Sequence, residues 1–160
     1  ICEKENGKAI GAIELKLKGH TDMTDREDEC ELGYWLGQPF WGKGYMPEAA
    51  REILHHGFEE IGMNTIWCGY YEGNQKSKRV QEKVGFVYHH TCENVPVPLL
   101  NEVRIGHTNV MTKEHWEEIN EGLVLKMYKN GLSAEQIASA TDKTLEEVTE
   151  IIAGKTSTQR

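Results

Sequence analysis

The run Pro39-Phe40-Trp41-Gly42-Lys43-Gly44-Tyr45-Met46-Pro47-Glu48-Ala49-Ala50 constrains this chain more than any other stretch. A strand-like segment, Glu31 to Leu36, leads into it, and an amphipathic helix leads out. A glycine-punctuated turn at a helix start gathers backbone N–H groups at the positive end of the helix dipole, which suits a phosphate. Gly42 and Gly44 let the backbone approach a ligand closely and adopt conformations that a side chain forbids.

Two better-known glycine loops do not fit. Gly37 to Lys43 nearly spells the triphosphate loop G-x-x-x-x-G-K-[ST]. Gly44 then stands where the magnesium-binding hydroxyl should be, and Phe40 and Trp41 are bulky for a loop that wraps phosphates. The dinucleotide pattern G-x-G-x-x-G fails because Pro47 occupies the place of its third glycine.

Periodicity supplies the surroundings. Lys8 to Lys18 alternates as a strand, and Asn6-Gly7 before it is a hairpin signal that makes residues 1–5 the end of an earlier strand. A polar loop covers Gly19 to Asp28, and Cys30 to Leu36 is the next strand. In Met46 to Ile61, Ala49, Ala50, Ile53, Leu54 and Phe58 line one helical face, with Gly62 as the stop. Thr65 to Tyr71 reads as a strand, Lys76 to Lys83 as a short helix ended by Gly85, and Phe86 to Thr91 as a strand. Val95-Pro96-Val97-Pro98 reads as a loop, and Val103 to Met111 as a last strand. Residues 31–70 form a β-α-β unit, so its two strands are expected to be parallel.

After Trp116 the character changes. Ile119 to Tyr128 reads as a helix. Ser133-Ala134-Glu135-Gln136 and Thr144-Leu145-Glu146-Glu147 are capping boxes for two more, the last ending at Gly154 with a frayed end from Lys155 to Arg160.

Composition narrows the function classes. The 160 residues suit one domain, or one domain with an appendage. A net charge of −8 argues against a general nucleic-acid binder and weakly favours a cationic or amine substrate. No apolar run approaches a membrane span, and no leader pattern is visible at Ile1-Cys2-Glu3. The four cysteines have no C-x-x-C spacing and read as thiols in a reducing cytoplasm. The pairs His55-His56 and His89-His90 do not share a face and so make no metal site by themselves. The four tryptophans read as core rather than as a base-stacking platform.

Glu31 to Ala50 resembles the cofactor motif of the GCN5-related N-acetyltransferases (GNAT), Q/R-x-x-G-x-G/A at a helix start. Pro39 takes the Q/R position here, as is common in the branch acting on ribosomal-protein N-termini and related amines. Asn74 to Phe86 is similar to the family's N-x-x-S-x-x-x-x-E-K-x-G-F segment, and Asn109 to Trp116 to the last strand and E-W ending of that branch. The resemblance covers roughly residues 1–117. It implies an α/β (α+β) fold in which a mixed, centrally splayed sheet is flanked by helices. Residues 1–117 would form the acetyltransferase domain and 118–160 a helical appendage.

The resemblance also implies acetyl-coenzyme A as the acetyl donor. Its pyrophosphate would lie on the N–H groups from Trp41, Gly42, Lys43 and Gly44 to Tyr45. Lys43 adds charge or is merely solvated. The pantetheine arm would pair along Tyr34-Trp35-Leu36 like an added strand, with an N–H near Leu36 as oxyanion donor. Asn74 would bond the arm, cap its helix, or both. A primary amine must lose a proton before it attacks, and Glu31 is the first candidate base, with Glu29 close by. Many family members protonate the departing thiolate with a Tyr on the second helix. Gln81 holds that place here and cannot act as an acid. Ser77, one turn earlier on the same face, matches the branch's Ser and is the candidate donor to sulfur, against a plain surface reading.

The chain departs from the family at both ends. The opening strand and two helices of the family have no counterpart before Glu5, which leaves a sheet edge that favours homodimerisation or aggregation. The tail lies outside the usual family body, and Glu146, Glu147 and Glu150 would repel a phosphate backbone. The leading expectation is therefore a cytoplasmic enzyme acetylating a protein N-terminus or small amine, acting away from DNA and membranes and without a metal. The rivals are a truncated relative that binds coenzyme A or a protein without turnover, and a regulator built on the tail.

Overall fold

A computed structural model describes residues 1–141 and 143–157. Two compact units divide it, Ile1–Lys113 and Glu114 onward. The first is built on a five-stranded sheet of β1 (Gly11–Lys16), β2 (Glu29–Leu36), β3 (Thr65–Tyr71), β4 (Val87–Val97) and β5 (Glu102–Thr112). Their order across the sheet is β1-β2-β3-β5-β4. Only β2 and β3 run parallel, as the β-α-β unit requires. A lone bridge, Cys2 to Ala9, closes the Asn6-Gly7 turn.

Helices α1 (Tyr45–His55) and α2 (Gln75–Val84) cover one face of the sheet's middle. Between helices and sheet the core gathers Leu54 of α1, Phe58 just after it, and Cys30, Leu32, Ile66, Cys68 and Met111 of the sheet, all fully buried or nearly so. In β2 the buried residues are Cys30 and Leu32, so the even positions face the helices and the odd ones, Glu29 to Trp35, the opposite face.

The first helix does not run unbroken to Ile61. After His55 it widens into a π-helical turn, His56–Ile61, before Gly62 ends it in the left-handed region. Gly57 sits in that turn, where an added Cβ would lie 2.8 Å from the Ile66 Cδ1 and 3.0 Å from the Leu15 Cδ1. The widened turn thus carries its backbone onto the sheet. α2 ends in a Schellman closure, with the Phe86 N–H bonded to the Gln81 carbonyl and the Gly85 N–H to that of Glu82.

Val95 to Val97 is strand, not loop. It pairs with Arg104, Val103 and Glu102. β4 is an edge, and a proline without an N–H is tolerated on an edge strand's open side. The strand is also irregular between Tyr88 and His90. That bulge overturns the expectation that His89 and His90 point apart, since their Nδ1 atoms meet at 2.7 Å.

The second unit comprises α3, which starts at Lys113 and runs to Lys129, then α4 (Ala134–Thr141) and α5 (Leu145–Ser157). Val124, Ile137 and Val148 form its core, with Met127, Leu132 and Ile151 packed around them. Both capping boxes form: Ser133 and Gln136 exchange bonds of 2.8 and 3.3 Å, Thr144 and Glu147 bonds of 2.7 and 3.2 Å. Gly154 does not stop the last helix, which continues to Ser157. The frayed end expected there falls partly on residues 158–160, outside the described residues. Among the described residues, no helix is long and apolar enough to cross a membrane.

Candidate functional site

The sheet opens where its two parallel strands part. β2 and β3 pair over Glu29–Thr65, Cys30–Ile66 and Glu31–Trp67. Beyond that point β2 runs on to Leu36 and β3 to Tyr71 without pairing to each other. The strands therefore form a V with its vertex at Glu31 and Trp67.

Hydrogen-bond alternation shows what β2 presents to this opening. The Gly37 N–H bonds the carbonyl of Ile10, the residue before β1, at 2.8 Å, so Gly37 turns its N–H to the β1 side. By antiparallel alternation Trp35 and Gly33 turn their N–H and C=O groups toward β1. Leu32, Tyr34 and Leu36 turn theirs into the V. Two of these groups have partners: the Cys68 thiol donates to the Leu32 carbonyl at 3.3 Å, and the Trp41 indole Nε1 to the Leu36 carbonyl at 2.7 Å. The N–H groups of Tyr34 and Leu36 look into open space. Burial pushes the Cys68 thiol well up and that of Cys30 to about 12, so both stay protonated, and all four cysteines are free.

A groove of about 530 Å³ continues from the V. Tyr34, Trp35 and Leu36 form one wall, and Trp41, Gly42, Gly44 and Tyr45 its end. Asn74, the residue before α2, and Ser77 and Val80 of that helix form the other wall. Gly42 has φ +77° and Gly44 φ +87°, and an added Cβ at either meets nothing within 4 Å. Conformation, not crowding, therefore demands glycine here, and the space beside each stays open. Trp41's N–H already bonds the Gln38 carbonyl at 3.2 Å. The donors open at this end are those that start α1, which have no carbonyl one turn earlier.

The charge of the groove opposes that of the chain. Lys76, Arg79 and Lys83 fall on one face of α2 and line it. The Lys76 ammonium stands 3.5 Å from the Trp41 ring centroid. An anionic ligand thus has a cationic rim although the whole protein carries −8. Trp35 and Trp41 are 62% and 42% exposed, so these two residues beside the groove are not the core residues expected.

Nine of the sequence-derived site residues meet around one groove: Tyr34, Trp35, Leu36, Trp41, Gly42, Gly44, Tyr45, Asn74 and Ser77. Lys43 is not among the lining residues, and its ammonium lies 5.5 Å from the Phe40 ring. Glu31 is at the V's vertex, on the sheet face opposite the helices. Both its oxygens are engaged, one by Lys16 at 2.9 Å and the other by Thr21 at 2.6 Å. The carboxylate in turn holds the Lys16 ammonium above its ordinary value. Neighbouring Glu29 takes bonds from Trp67 at 2.7 Å and Thr24 at 2.6 Å. Asn74 caps α2 by accepting from the Ser77 N–H at 3.2 Å.

Sequence reading missed the polar cluster under α2. The Tyr34 hydroxyl is 2.8 Å from the Ser77 Oγ and 3.2 Å from the Ser77 carbonyl. Burial pushes the Tyr34 phenol up to about 12, so it stays un-ionised. Gln81 approaches the same Ser77 Oγ at 3.2 Å. The available signal was Gln81 itself, a polar residue on the sheet-facing side of a helix beside Val84.

Residues 1–87 match the family model described as an acetyltransferase (GNAT) domain. The chain belongs to the GNAT family. Its mixed five-stranded sheet with flanking helices is the fold of that family's solved members. One of these, a GNAT acetyltransferase from Bacillus anthracis, is 25% identical with a TM-score of 0.60, covering 71% of this chain and 64% of that one. The fold is shared with a ribosomal-protein-S5-alanine acetyltransferase from Vibrio fischeri, at 20% identity and TM-score 0.62, covering 72% and 60%.

Curated GNAT relatives extend the comparison. YdaF of Bacillus subtilis (strain 168), provisionally named a ribosomal N-acetyltransferase, is 34% identical over 82 residues, 51% of this chain and 42% of that protein. The FsC-acetyl coenzyme A-N(2)-transacetylase of Aspergillus fumigatus is 31% identical over 94 residues, 57% of this chain and 39% of that one. The chain thus spans less than half the length of either.

Proposed function

We propose that this chain carries the donor site of an N-acetyltransferase that moves an acetyl group from acetyl-coenzyme A to a primary amine, a protein N-terminus or a small amine. The observation that carries this reading is the V. Its inner strand offers the N–H groups of Tyr34 and Leu36 beside a groove that ends at two glycines and a helix N-terminus. An extended arm with amide groups can pair with such a strand edge, and a pyrophosphate suits the helix start. The Trp41 ring and the cationic rim of α2 fit the same ligand.

In this reading the Leu36 N–H donates to the thioester oxygen and Ser77 to the sulfur, while bound acetyl-coenzyme A supplies the activated acetyl group. Glu31 takes the amine proton once a substrate or a water displaces one of its partners. Lys43 adds long-range charge at the turn. Work in the cytoplasm, on an amine acceptor and as a homodimer, belongs to this reading. So does the division of labour between an acetyltransferase domain, 1–117, and the helices of 118–160.

The test is calorimetry of the chain with acetyl-coenzyme A, then thiol release on adding peptides with free N-termini or polyamines. Micromolar binding followed by amine-dependent release is expected. Absence of donor binding refutes the reading. Binding without release to any amine favours the second reading, a coenzyme A-binding relative without turnover. The double engagement of Glu31 is what speaks for that alternative.

A further inference from the structure

Two polar side chains lie inside the first unit: Gln81, fully buried, and Asn109, 4% exposed. Desolvating an amide is costly unless each of its groups finds a partner. Gln81 finds all of them. Its Nε2 lies 3.0 Å from the Gly69 carbonyl and 3.2 Å from the Ser77 Oγ, while its Oε1 accepts from the Asn109 Nδ2 at 2.8 Å.

This arrangement has one sense. The Gly69 carbonyl is backbone and only accepts, so the end of Gln81 facing it must be the amide nitrogen. The other end is then oxygen, and Asn109 must turn its own nitrogen toward it. Inverting either amide sets two acceptors or two donors against each other in a buried site. With one hydrogen of Gln81 Nε2 on the Gly69 carbonyl, the other goes to the Ser77 Oγ at 3.2 Å rather than to the more distant Tyr34 oxygen at 3.4 Å. The Tyr34 hydroxyl lies 3.2 Å from the Ser77 carbonyl, which only accepts, and 2.8 Å from the Ser77 Oγ, where either oxygen can donate. The Ser77 hydroxyl is left with a hydrogen to give and, in the groove it lines, room for a stronger acceptor than the Tyr34 oxygen.

We propose that Gln81, locked by Gly69 and Asn109, is a positioning residue that forces Ser77 to be a hydrogen-bond donor toward a sulfur in the groove. The inference rests on the acetyl-coenzyme A reading above and deepens it. When the thioester C–S bond breaks, its electron pair goes to sulfur, and the donated hydrogen bond stabilises the thiolate more than the thiol. The buried amide pair thus sets at a distance the direction of a bond that Ser77 makes.

The experiment compares coenzyme A with acetyl-coenzyme A by calorimetry across the thiol's ionisation range, using the full chain. In the parent, coenzyme A affinity should rise about tenfold relative to acetyl-coenzyme A as the thiol ionises, the size of one charge-assisted hydrogen bond. Ser77→Ala and Gln81→Met should each flatten that rise, and Gln81→Met, at a residue that does not line the groove, should leave acetyl-coenzyme A affinity within about twofold. Gln81→Met in the Ser77→Ala background should add nothing to it. Thermal melts check folding, and if Gln81→Met does not fold, Asn109→Leu takes its place.

A folded Gln81→Met or Asn109→Leu that keeps the pH-dependent rise overturns the proposal. So does a parent that binds acetyl-coenzyme A but shows no rise with coenzyme A. A parent that binds neither ligand overturns the acetyl-donor reading itself, and this inference with it.

Discussion

Replacing Gly44 by Asp or Asn should move stability and ligand affinity in opposite orders. Gly44 has φ +87° and ψ −6° and opens α1, and an added Cβ there meets nothing within 4 Å. Either replacement incurs left-handed strain of about 1 kcal/mol, eased because Asn and Asp tolerate that region better than other residues. The two side chains are nearly isosteric, so what separates them is charge. At a helix N-terminus a carboxylate is favoured by about 0.3–1 kcal/mol. Gly44→Asp should therefore melt no lower than Gly44→Asn.

Binding should run the other way. A carboxylate on the groove floor stands within about 5 Å of an anion on the α1 N–H groups. At an effective dielectric constant between about 20 and 40, each unit charge pair at that range repels by about 1.5–3 kcal/mol. Gly44→Asp should bind acetyl-coenzyme A roughly 10- to 150-fold more weakly than Gly44→Asn, by calorimetry at low salt. The gap should narrow on raising the salt to about 1 M, where the Debye length falls to about 3 Å. Equal affinities of the two folded variants at low salt would refute the placing of the anion at this turn.

Three further outcomes follow from local geometry. Gly57→Ala should lower stability by about 1–3 kcal/mol in thermal melts, because its Cβ would press on the Ile66 and Leu15 methyls in the π-turn; an unchanged melt would mean that the turn has slack. Asp28, held near 2 by the Arg26 guanidinium and then by Asn64, should contribute stability that is present above its ordinary value of about 3.8 and lost as pH falls toward 2. Asp28→Asn should flatten that part of an acid-unfolding profile, and an identical profile would contradict the pairing. Asn74→Ala should cost about 1 kcal/mol by removing the α2 cap, visible as faster amide exchange confined to the first turn of that helix.

What was legible in the sequence is what neighbours along the chain decide. Gly42, Gly44, Gly62 and Gly85 mark left-handed positions, and all four lie there. The capping boxes at Ser133 and Thr144 form as written because cap and partner are three residues apart. The π-turn was not legible, since nothing local distinguishes Gly57 until Ile66 and Leu15 pack against it. Val95 to Val97 reads as a loop from Pro96 within it and Pro98 after it, and only the strand's place at the sheet edge accommodates Pro96.

The site shows the same division. Motif spacing gathered the groove residues, since turn and helix positions follow one another in order. The vertex of the V could not be read, because β2 and β3 both go on looking like strands past the last residues they pair. Nor could the contacts of Tyr34 with Ser77 and of Gln81 with Asn109, which join positions 43 and 28 residues apart.

Why the sheet splits at Glu31 and Trp67 has a physical answer in what fills each side of the gap. Past the vertex, Leu32 and Leu36 have their carbonyls satisfied by the Cys68 thiol and the Trp41 indole, and Gly69 has its carbonyl satisfied by Gln81. Side chains have taken over acceptors that a paired strand would have used, so closing the V would first break those bonds. The strand donors of Tyr34 and Leu36 face the groove, where water reaches them until a better partner arrives. By the same alternation the Tyr34 carbonyl also faces the V, between the Leu32 and Leu36 carbonyls that side chains have taken. The opening therefore suits an extended ligand whose amide brings a carbonyl to the β2 donors and an N–H to Tyr34.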